Sequence, residues 1–237
     1  MKEWNLYFNG KYANNLSLIV AEYPSIPLFT PNKEKISIDG RIDGDLYEDL
    51  GTYADRVFSV KFRVFKPLID YWNKLDMINK WLFDIEDNRL IYDRDDRCLH
   101  VKNITVGDLA KSIKLYGEFT VTFTCEPYFY DLQENNVTVA KRTYIYNMGD
   151  LEATPIFKVY GKGNGEIYTK NEESNTFTIY DLNDYAIVDS KLLTVKDSLG
   201  NNLKSSGAFP TLATGNNTLN INSNITKMEV IYTNKYR

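Results

Sequence analysis

Cys98 and His100, the only histidine of the chain, have the residue types and spacing that could support nucleophilic catalysis. Two positions apart in a strand-like run, they would point to the same face, and a neighbouring imidazole can activate a cysteine thiol. Such adjacency on a strand is common by chance, and nothing in the sequence marks an exposed nucleophile. We therefore predict that Cys98 and Cys125 are reduced, buried thiols without a catalytic role.

Two other groups of residues have types that could bind a ligand. Acidic side chains collect between positions 86 and 96, but their spacing does not match a calcium loop and Arg94 and Arg97 lie among them, which favours a solvated turn. The glycine-rich run 161–165 lacks the Lys-Ser/Thr pair of a phosphate-binding loop and a following helix, so an ordinary turn is predicted. Carboxylate pairs for glycoside hydrolysis depend on three-dimensional separation, so the sequence leaves them open. We predict no catalytic residue, no cofactor, no metal site and no enzyme activity.

Composition narrows the class of protein. The chain has 237 residues, is 43% hydrophobic and 14% aromatic, and its 18 tyrosines and 12 phenylalanines favour strands. A formal net charge of -4 without a basic stripe argues against stable nucleic-acid binding. The first residues lack the apolar core of a secretory signal, and no stretch approaches the roughly 18 apolar residues of a membrane span. We therefore expect a β-rich protein that has no membrane association.

The first half has the pattern of strands, one helix and further strands. An Asn-Gly pair at 9–10 predicts a hairpin turn after the opening strand, and apolar alternation predicts a strand over 56–65. Proline at position 67 and apolar residues at three- and four-residue intervals predict the helix 67–83, which should pack on the sheet. The expected apolar stripe of this helix is Leu68, Trp72, Leu75, Ile78 and Leu82.

Two further strand patterns follow the helix. Residues 89–94 and 97–102 predict a strand pair around a charged turn. Residues 114–126 predict a long strand with Phe119, Val121 and Phe123 on its buried face. Pro127 should end the ladder of that strand, because proline has no amide hydrogen to donate.

The segment from 24 to 55 differs from its surroundings. Three prolines interrupt pairing, and Gly40 and Gly44 enclose charged residues in what we predict to be a sharp turn. The segment is too broken by proline and glycine to form a compact sheet by itself. We therefore expect an extended arm over about residues 31–55 that folds against a neighbouring molecule.

The second half shows no helical periodicity, and a polar run places the boundary near residue 134. Short strands separated by Asn-, Gly- and Asp-rich turns predict a β-sandwich of roughly a hundred residues. The expected strands are 142–146, 156–160, 166–168, 177–180, 185–188, 192–196, 218–221 and 228–232. Five tyrosines of this half could stack on sugar rings, although core or cross-strand packing is the commoner arrangement. They are Tyr160, Tyr168, Tyr180, Tyr185 and Tyr232.

Several turns and strands form an ordered series of motifs along the chain. They are residues 8–10, 40–45, 57–65, 117–123, 126–128, 147–149, 154–161, 189–190, 207–210 and 215–217. Their order and spacing resemble those of the distal tail proteins of phages that infect Gram-positive bacteria, the Dit family. Ile42 departs from the family pattern, because it stands between Arg41 and Asp43 where the family usually shows Arg-Asp-Gly.

The resemblance implies a mainly β protein with two domains. Residues 1–133 would form an N-terminal β-barrel-like domain with one α-helix that assembles into a hexameric ring, and residues 134–237 a galectin-like C-terminal β-sandwich. The ring would join the tail tube protein on one side to a tail-associated hub protein or receptor-binding protein on the other, as part of the virion tail tip assembled in the host cytoplasm. DNA would pass through the ring without stable binding. Contractile and non-contractile tails, and single and double rings, all stay open.

Charged residues in the expected arm are the first candidates for contacts between subunits. They are Arg41, Asp43 and Asp45, and Arg63 on the mixed second face of strand 56–65 joins them. The alternative is a binding module of another class, in which the C-terminal sandwich attaches to a host cell-surface saccharide; fold alone does not decide between the two.

Overall fold

The computed structural model divides into two compact units, Met1–Phe129 with Arg237, and Tyr130–Tyr236. Each has its own hydrophobic core. The residues that the structure describes are 5–22, 24–64, 71–92, 94–107, 117–170 and 174–237.

The N-terminal unit is a β-sheet with one α-helix in its described residues. Its elements are β1 (Tyr7–Phe8), β2 (Lys11–Tyr12), a 3-10 helix (Ala13–Leu16), β3 (Leu18–Val20), β4 (Pro31–Ile36), β5 (Leu46–Tyr53), β6 (Arg56–Val64), α1 (Tyr71–Phe83), β7 (Arg89–Ile91), β8 (Arg97–Val106) and β9 (Glu118–Asp131). The main sheet has the strand order β2-β1-β7-β8-β9-β6-β3, and β4 and β5 form a separate two-stranded sheet. The predicted mainly β class with one helix is confirmed.

Strands β6 and β9 are neighbours in the main sheet. They pair antiparallel with Phe58 opposite Phe123 and Phe62 opposite Phe119, and all four side chains are buried. The alternation of apolar residues therefore predicted the buried face of both strands correctly. Cys125, at the end of this ladder opposite Arg56, is fully buried, as expected.

The buried face of helix α1 agrees only in part with the prediction. Ile78, Trp81 and Leu82 are buried against the sheet, whereas Trp72 is 69% exposed. At 3.6 residues per turn, Trp72 lies roughly 120° around the helix axis from Ile78, outside the stripe that residues 78, 81 and 82 define. Its assignment to the buried face was wrong, and the predicted helix start at 67 lies outside the described residues.

The predicted turn at Asn9 and Gly10 is confirmed. Both residues have positive φ angles, 45° and 73°, and they join the paired strands β1 and β2. Asn9 also contacts the end of α1, because its side-chain amide donates to the carbonyls of Trp81 and Asp84 at 2.9 and 2.8 Å. The same side chain accepts the amide of Glu86 at 2.9 Å. This turn therefore fixes the helix against the sheet.

The predicted strand pair after the helix is confirmed as β7 and β8, with Leu90 opposite Leu99. Pro127 was predicted to end the ladder of its strand. Pairing with β6 does stop at Cys125, and the Pro127 carbonyl accepts a hydrogen bond from the Arg56 side chain. The strand itself continues past its predicted end at residue 126 and runs to Asp131.

The C-terminal unit is built entirely of strands and loops in its described residues. Its strands are β10 (Asn135–Val139), β11 (Thr143–Asn147), β12 (Ile156–Lys170), β13 (Ser174–Asp189), β14 (Thr194–Asp197), β15 (Ser205–Ser206), β16 (Gly215–Ile221), β17 (Ile225–Tyr232) and β18 (Lys235–Tyr236). One group follows the order β10-β17-β12-β13-β14, and a second joins β11 to β16 and β16 to β12. Phe157, Ile167 and Phe177 lie fully buried in the core.

Four of the predicted short strands are two long ones. Residues 161–165, predicted to be a turn, lie within β12, which pairs with β13 on both sides of a register shift at Gly163 and Gly165. The backbone of Asn224 leaves no room for a side chain at Gly161, and Gly163 has a φ of 90°. Glycine therefore permits a bulge and a close approach here, where the sequence alone suggested a chain reversal.

Candidate functional site

The hairpin of β4 and β5 is exposed along almost its whole length. Its strands pair antiparallel with Ile36 opposite Leu46, and almost every residue from 31 to 52 is exposed. The sequence predicted an arm without regular pairing here. The two strands do pair, because Pro31 and Gly51 lie near the base of the hairpin, where the register shifts. The rest of the ladder is intact.

The tip of this hairpin turns sharply at two glycines. Gly40 and Gly44 have φ angles of 79° and 76°, a region that glycine enters without strain. Between them, Arg41 is exposed and Ile42 is 98% exposed, while the Arg41 amide donates to the carbonyl of Ile38 at 3.3 Å. The tip therefore presents a cation and an apolar side chain side by side to solvent.

The four predicted contact residues do not form one cluster. Asp43 is exposed at the tip, but Asp45 already binds within its own hairpin, 2.6 Å from the Lys35 ammonium and 2.7 Å from the Ser37 hydroxyl. The hydrogen bond from Lys35, followed by that from Ser37, lowers the pKa of Asp45. Arg63 lies on β6 and not on the hairpin.

Arg63 belongs to a charged network on the exposed face of the main sheet. Its guanidinium binds the Glu118 carboxylate, which also lies 2.8 Å from the Lys61 ammonium. Lys61 in turn lies 3.0 Å from Glu22. Hydrogen bonds from Lys61 and then Arg63 lower the pKa of Glu118. The role of Arg63 between subunits stays a prediction.

Arg56 anchors the base of the hairpin, and the sequence analysis did not select it. It is 4% exposed, its Nε donates to the Pro127 carbonyl at 2.7 Å, and its Nη1 donates to the Pro27 carbonyl at 2.9 Å. Its guanidinium also lies 4.6 Å from the centre of the Phe129 ring. Burial lowers the pKa of Arg56. The only signal in the sequence was a charged residue at the start of a strand with an apolar face.

Aromatic rings complete this anchor. Phe29 lies 4.0 Å from Tyr53 between ring centres, and Tyr128 lies 5.9 and 6.1 Å from those two rings. The residues before β4 and at the end of β5 are thus fastened to β9, while the rest of the hairpin extends without packing on the core. The structure therefore combines a fixed base with an exposed tip.

The side chains considered for catalysis lie in strands. Cys98 is buried, and His100 is half-buried opposite Arg89 on β7. In the acidic segment, Asp87 binds Arg89 and Asp96 binds Arg94, each at 2.8 Å. Within the described ranges, no three potential metal ligands gather into a cluster, and no helix combines the length and apolarity needed to cross a bilayer.

Both thiols are expected to resist modification in the native protein. Cys98 and Cys125 are at most 1% exposed, and burial raises the pKa of Cys125 to about 12. Only a fraction on the order of 10⁻⁴ of that thiol would be ionised at pH 8. A disulfide reagent such as DTNB should detect both thiols in urea but neither within minutes under native conditions. A thiol that reacts at once in the folded chain would contradict this assignment.

Tyrosines of the C-terminal unit fill cross-strand positions. Tyr160 on β12 lies opposite Tyr185 on β13 with 5.8 Å between ring centres, and the Lys158 ammonium lies 4.5 Å from the Tyr185 ring. Tyr144 and Tyr146 on β11 are more exposed, and the sequence analysis did not select them.

Comparisons with known proteins point to phage tails. Residues 17–125 match the family model described as phage tail protein RIFT-related domain. The crystal structure of the Dit (gp 19.1) protein of phage SPP1 superposes with a TM-score of 0.70 at 17% identity, and the match covers 100% of each chain. That protein is described as a paradigm of the hub adsorption apparatus in phages that infect Gram-positive bacteria. A comparison with curated protein sequences gives no match.

The sequence resemblance to phage distal tail proteins is thereby confirmed in two independent ways. The matched family segment contains α1 and most of the main sheet, including β6 and most of β9. The structural match extends through the C-terminal unit. Residues 17–125 are therefore similar to the phage tail protein RIFT-related domain, and the chain as a whole has the fold of the SPP1 Dit protein.

Proposed function

We propose that this protein is a self-assembling ring adaptor at the tip of a phage tail. In this proposal residues 1–133 form a closed ring of six subunits, and residues 134–237 form an outward-facing domain. The ring joins the tail tube protein to a tail-associated hub protein or receptor-binding protein. It is assembled in the cytoplasm of the bacterial host and becomes part of the virion.

The single observation that carries the proposal is the exposed β4–β5 hairpin of a chain with a distal tail protein fold. A lone two-stranded hairpin is marginally stable in water, and apolar side chains concentrated on it favour a covered state. Its exposed apolar residues are Ile36, Ile38, Ile42, Leu46, Tyr47 and Leu50. We infer that a neighbouring subunit covers this hairpin and that Arg41, Asp43, Asp45 and Arg63 contribute to contacts between subunits.

The remaining properties of the chain are compatible with a structural role. A ring through which DNA passes must not retain it, and a chain with a formal net charge of -4 attracts phosphate weakly. The carbohydrate-binding alternative is not favoured, since the matched domain and the matched structure both come from tail components. We also propose that the protein has no enzymatic turnover, because assembly requires no tuned acid, base or nucleophile.

The test is the mass of the particle in solution. Light scattering coupled to size exclusion, at tens of micromolar subunit, should give six times the 27.5 kDa of the chain, and class-averaged electron micrographs should show a six-fold ring. Adding purified tail tube protein provides a second arm if the ring needs a template. A strict monomer in both arms would contradict the proposal.

A further inference from the structure

The two faces of the β4–β5 hairpin have different chemistry. On one face Ile36 lies opposite Leu46 and Glu34 lies opposite Glu48, and strand alternation adds Leu50 to the same side. All five side chains are exposed. We call this set of residues the carboxylate face. Like charges directly opposite each other in a ladder are destabilising, and neither glutamate has an ion-pair partner among the described residues.

On the opposite face of the same hairpin, positive and negative side chains pair with one another. Lys35 binds Asp45 at 2.6 Å, and Ser37 donates to that carboxylate at 2.7 Å. Lys33 lies opposite Asp49, which places unlike charges across the ladder. The charges of one face are thus paired within the hairpin, whereas the carboxylate face has two negative charges between apolar side chains that no described residue pairs.

The tip of the hairpin has the complementary composition. Arg41 is exposed without an ion-pair partner in the described part of the chain, and the adjacent Ile42 is 98% exposed. Guanidinium groups bind carboxylates through directed, charge-assisted hydrogen bonds, and one arginine can bridge two carboxylates. A cation beside an apolar side chain therefore matches a pair of anions beside apolar side chains.

We propose that the hairpin tip of one copy docks on the carboxylate face of the next copy. Arg41 then lies between Glu34 and Glu48 of the neighbouring subunit, and Ile42 packs on that subunit's Ile36 and Leu46. The contact uses two different surfaces of the same chain, so it is heterologous and can repeat from subunit to subunit until a ring closes. This inference rests on the proposed ring and names the chemistry that sets its register.

Charge reversal tests this pairing, because every residue involved is exposed and the fold does not depend on it. Arg41→Glu alone, and Glu34→Lys with Glu48→Lys, should each raise the subunit concentration for half-assembly at least tenfold. The variant that combines Arg41→Glu, Glu34→Lys and Glu48→Lys restores opposite charges at every contact. It should therefore assemble at a concentration close to that of the wild type. Glu134→Lys, an exposed and unpaired glutamate in the C-terminal unit, is the matched control and should change nothing.

The measurement is light-scattering mass over a dilution series, with the fluorescence of buried Trp81 reporting that each variant is folded. Unchanged assembly of either charge-reversed variant would overturn the pairing, and so would a triple variant that fails to assemble. If the full-length wild-type chain never forms a ring, the proposed function itself is contradicted. A ring that is lost when the hairpin tip is deleted, but persists in Arg41→Glu and in Glu34→Lys with Glu48→Lys, would overturn only the present inference.

Discussion

Deleting residues 42–46 should convert the ring to monomers while leaving each N-terminal unit folded. The deletion removes Ile42, which is 98% exposed, and Asp45, whose ion pair lies within the hairpin, but it removes no residue of the hydrophobic core. A buried charge contact between subunits is worth on the order of 2–5 kcal/mol when one partner is lost. Repeated around a ring, such a loss should reduce the light-scattering mass to that of one chain.

Point substitutions separate the chemistry of the tip from its length. Ile42→Ser should weaken assembly, whereas Leu199→Ser, at an 84% exposed position of the C-terminal unit, should leave the ring intact. Thermal unfolding should be nearly the same for both variants and for the deletion. Should the shortened chain keep both its ring mass and its stability, the hairpin would not be the assembling element, and the contacts would have to lie at the sheet edges.

Replacing Asn9 by alanine should destabilise the N-terminal unit by roughly 4–5 kcal/mol. The side chain makes four hydrogen bonds to the segment that ends α1 and leads into β7, to Trp81, Asp84, Glu86 and Asp87. Each is worth roughly 1 kcal/mol net, and the positive φ of 45° adds a cost for any residue that favours ordinary backbone angles. Urea unfolding followed through Trp81 fluorescence measures the change.

Three variants show how much of that loss of stability comes from the hydrogen bonds of Asn9 and how much from its backbone angle. Asn9→Gly removes the hydrogen bonds but accepts the backbone angle, so it should be less destabilising than Asn9→Ala. Asn9→Asp keeps the acceptor and leaves two carbonyls without their donor. Asn15→Ala changes an exposed asparagine nearby and should stay within about 0.5 kcal/mol of the wild type. Equal midpoints for Asn9→Ala and Asn15→Ala would show that the turn does not hold the helix.

Much of the fold followed from local patterns in the sequence. Alternation predicted which side chains of β6 and β9 are buried, because a strand places successive residues on opposite faces whatever its partner. The Asn-Gly turn followed from backbone preference alone. Neither pattern specifies the contacts that Asn9 makes with the end of α1, since those residues are more than seventy positions away.

Errors arose where a residue's role depends on what surrounds it. Trp72 is apolar and follows Leu68 at a helical interval, yet the sheet covers only the sector of the helix around Ile78. Gly161 was predicted to belong to a turn, but Asn224 approaches it inside a continuous strand. Strand β9 was predicted to end at residue 126, but it continues to Asp131 although its ladder with β6 stops at Cys125.

The sequence by itself determined the mainly β class, the buried faces of β6 and β9 and the resemblance to distal tail proteins. These depend on the periodicity and order of residues along the chain. Tertiary structure alone decided that Arg56 fastens the hairpin base, that Asp45 binds Lys35, and that Glu34 lies opposite Glu48. Strand register and packing decide which residues distant in sequence come into contact. The pattern of residues along the chain does not specify them, so these pairs could not be predicted from the sequence.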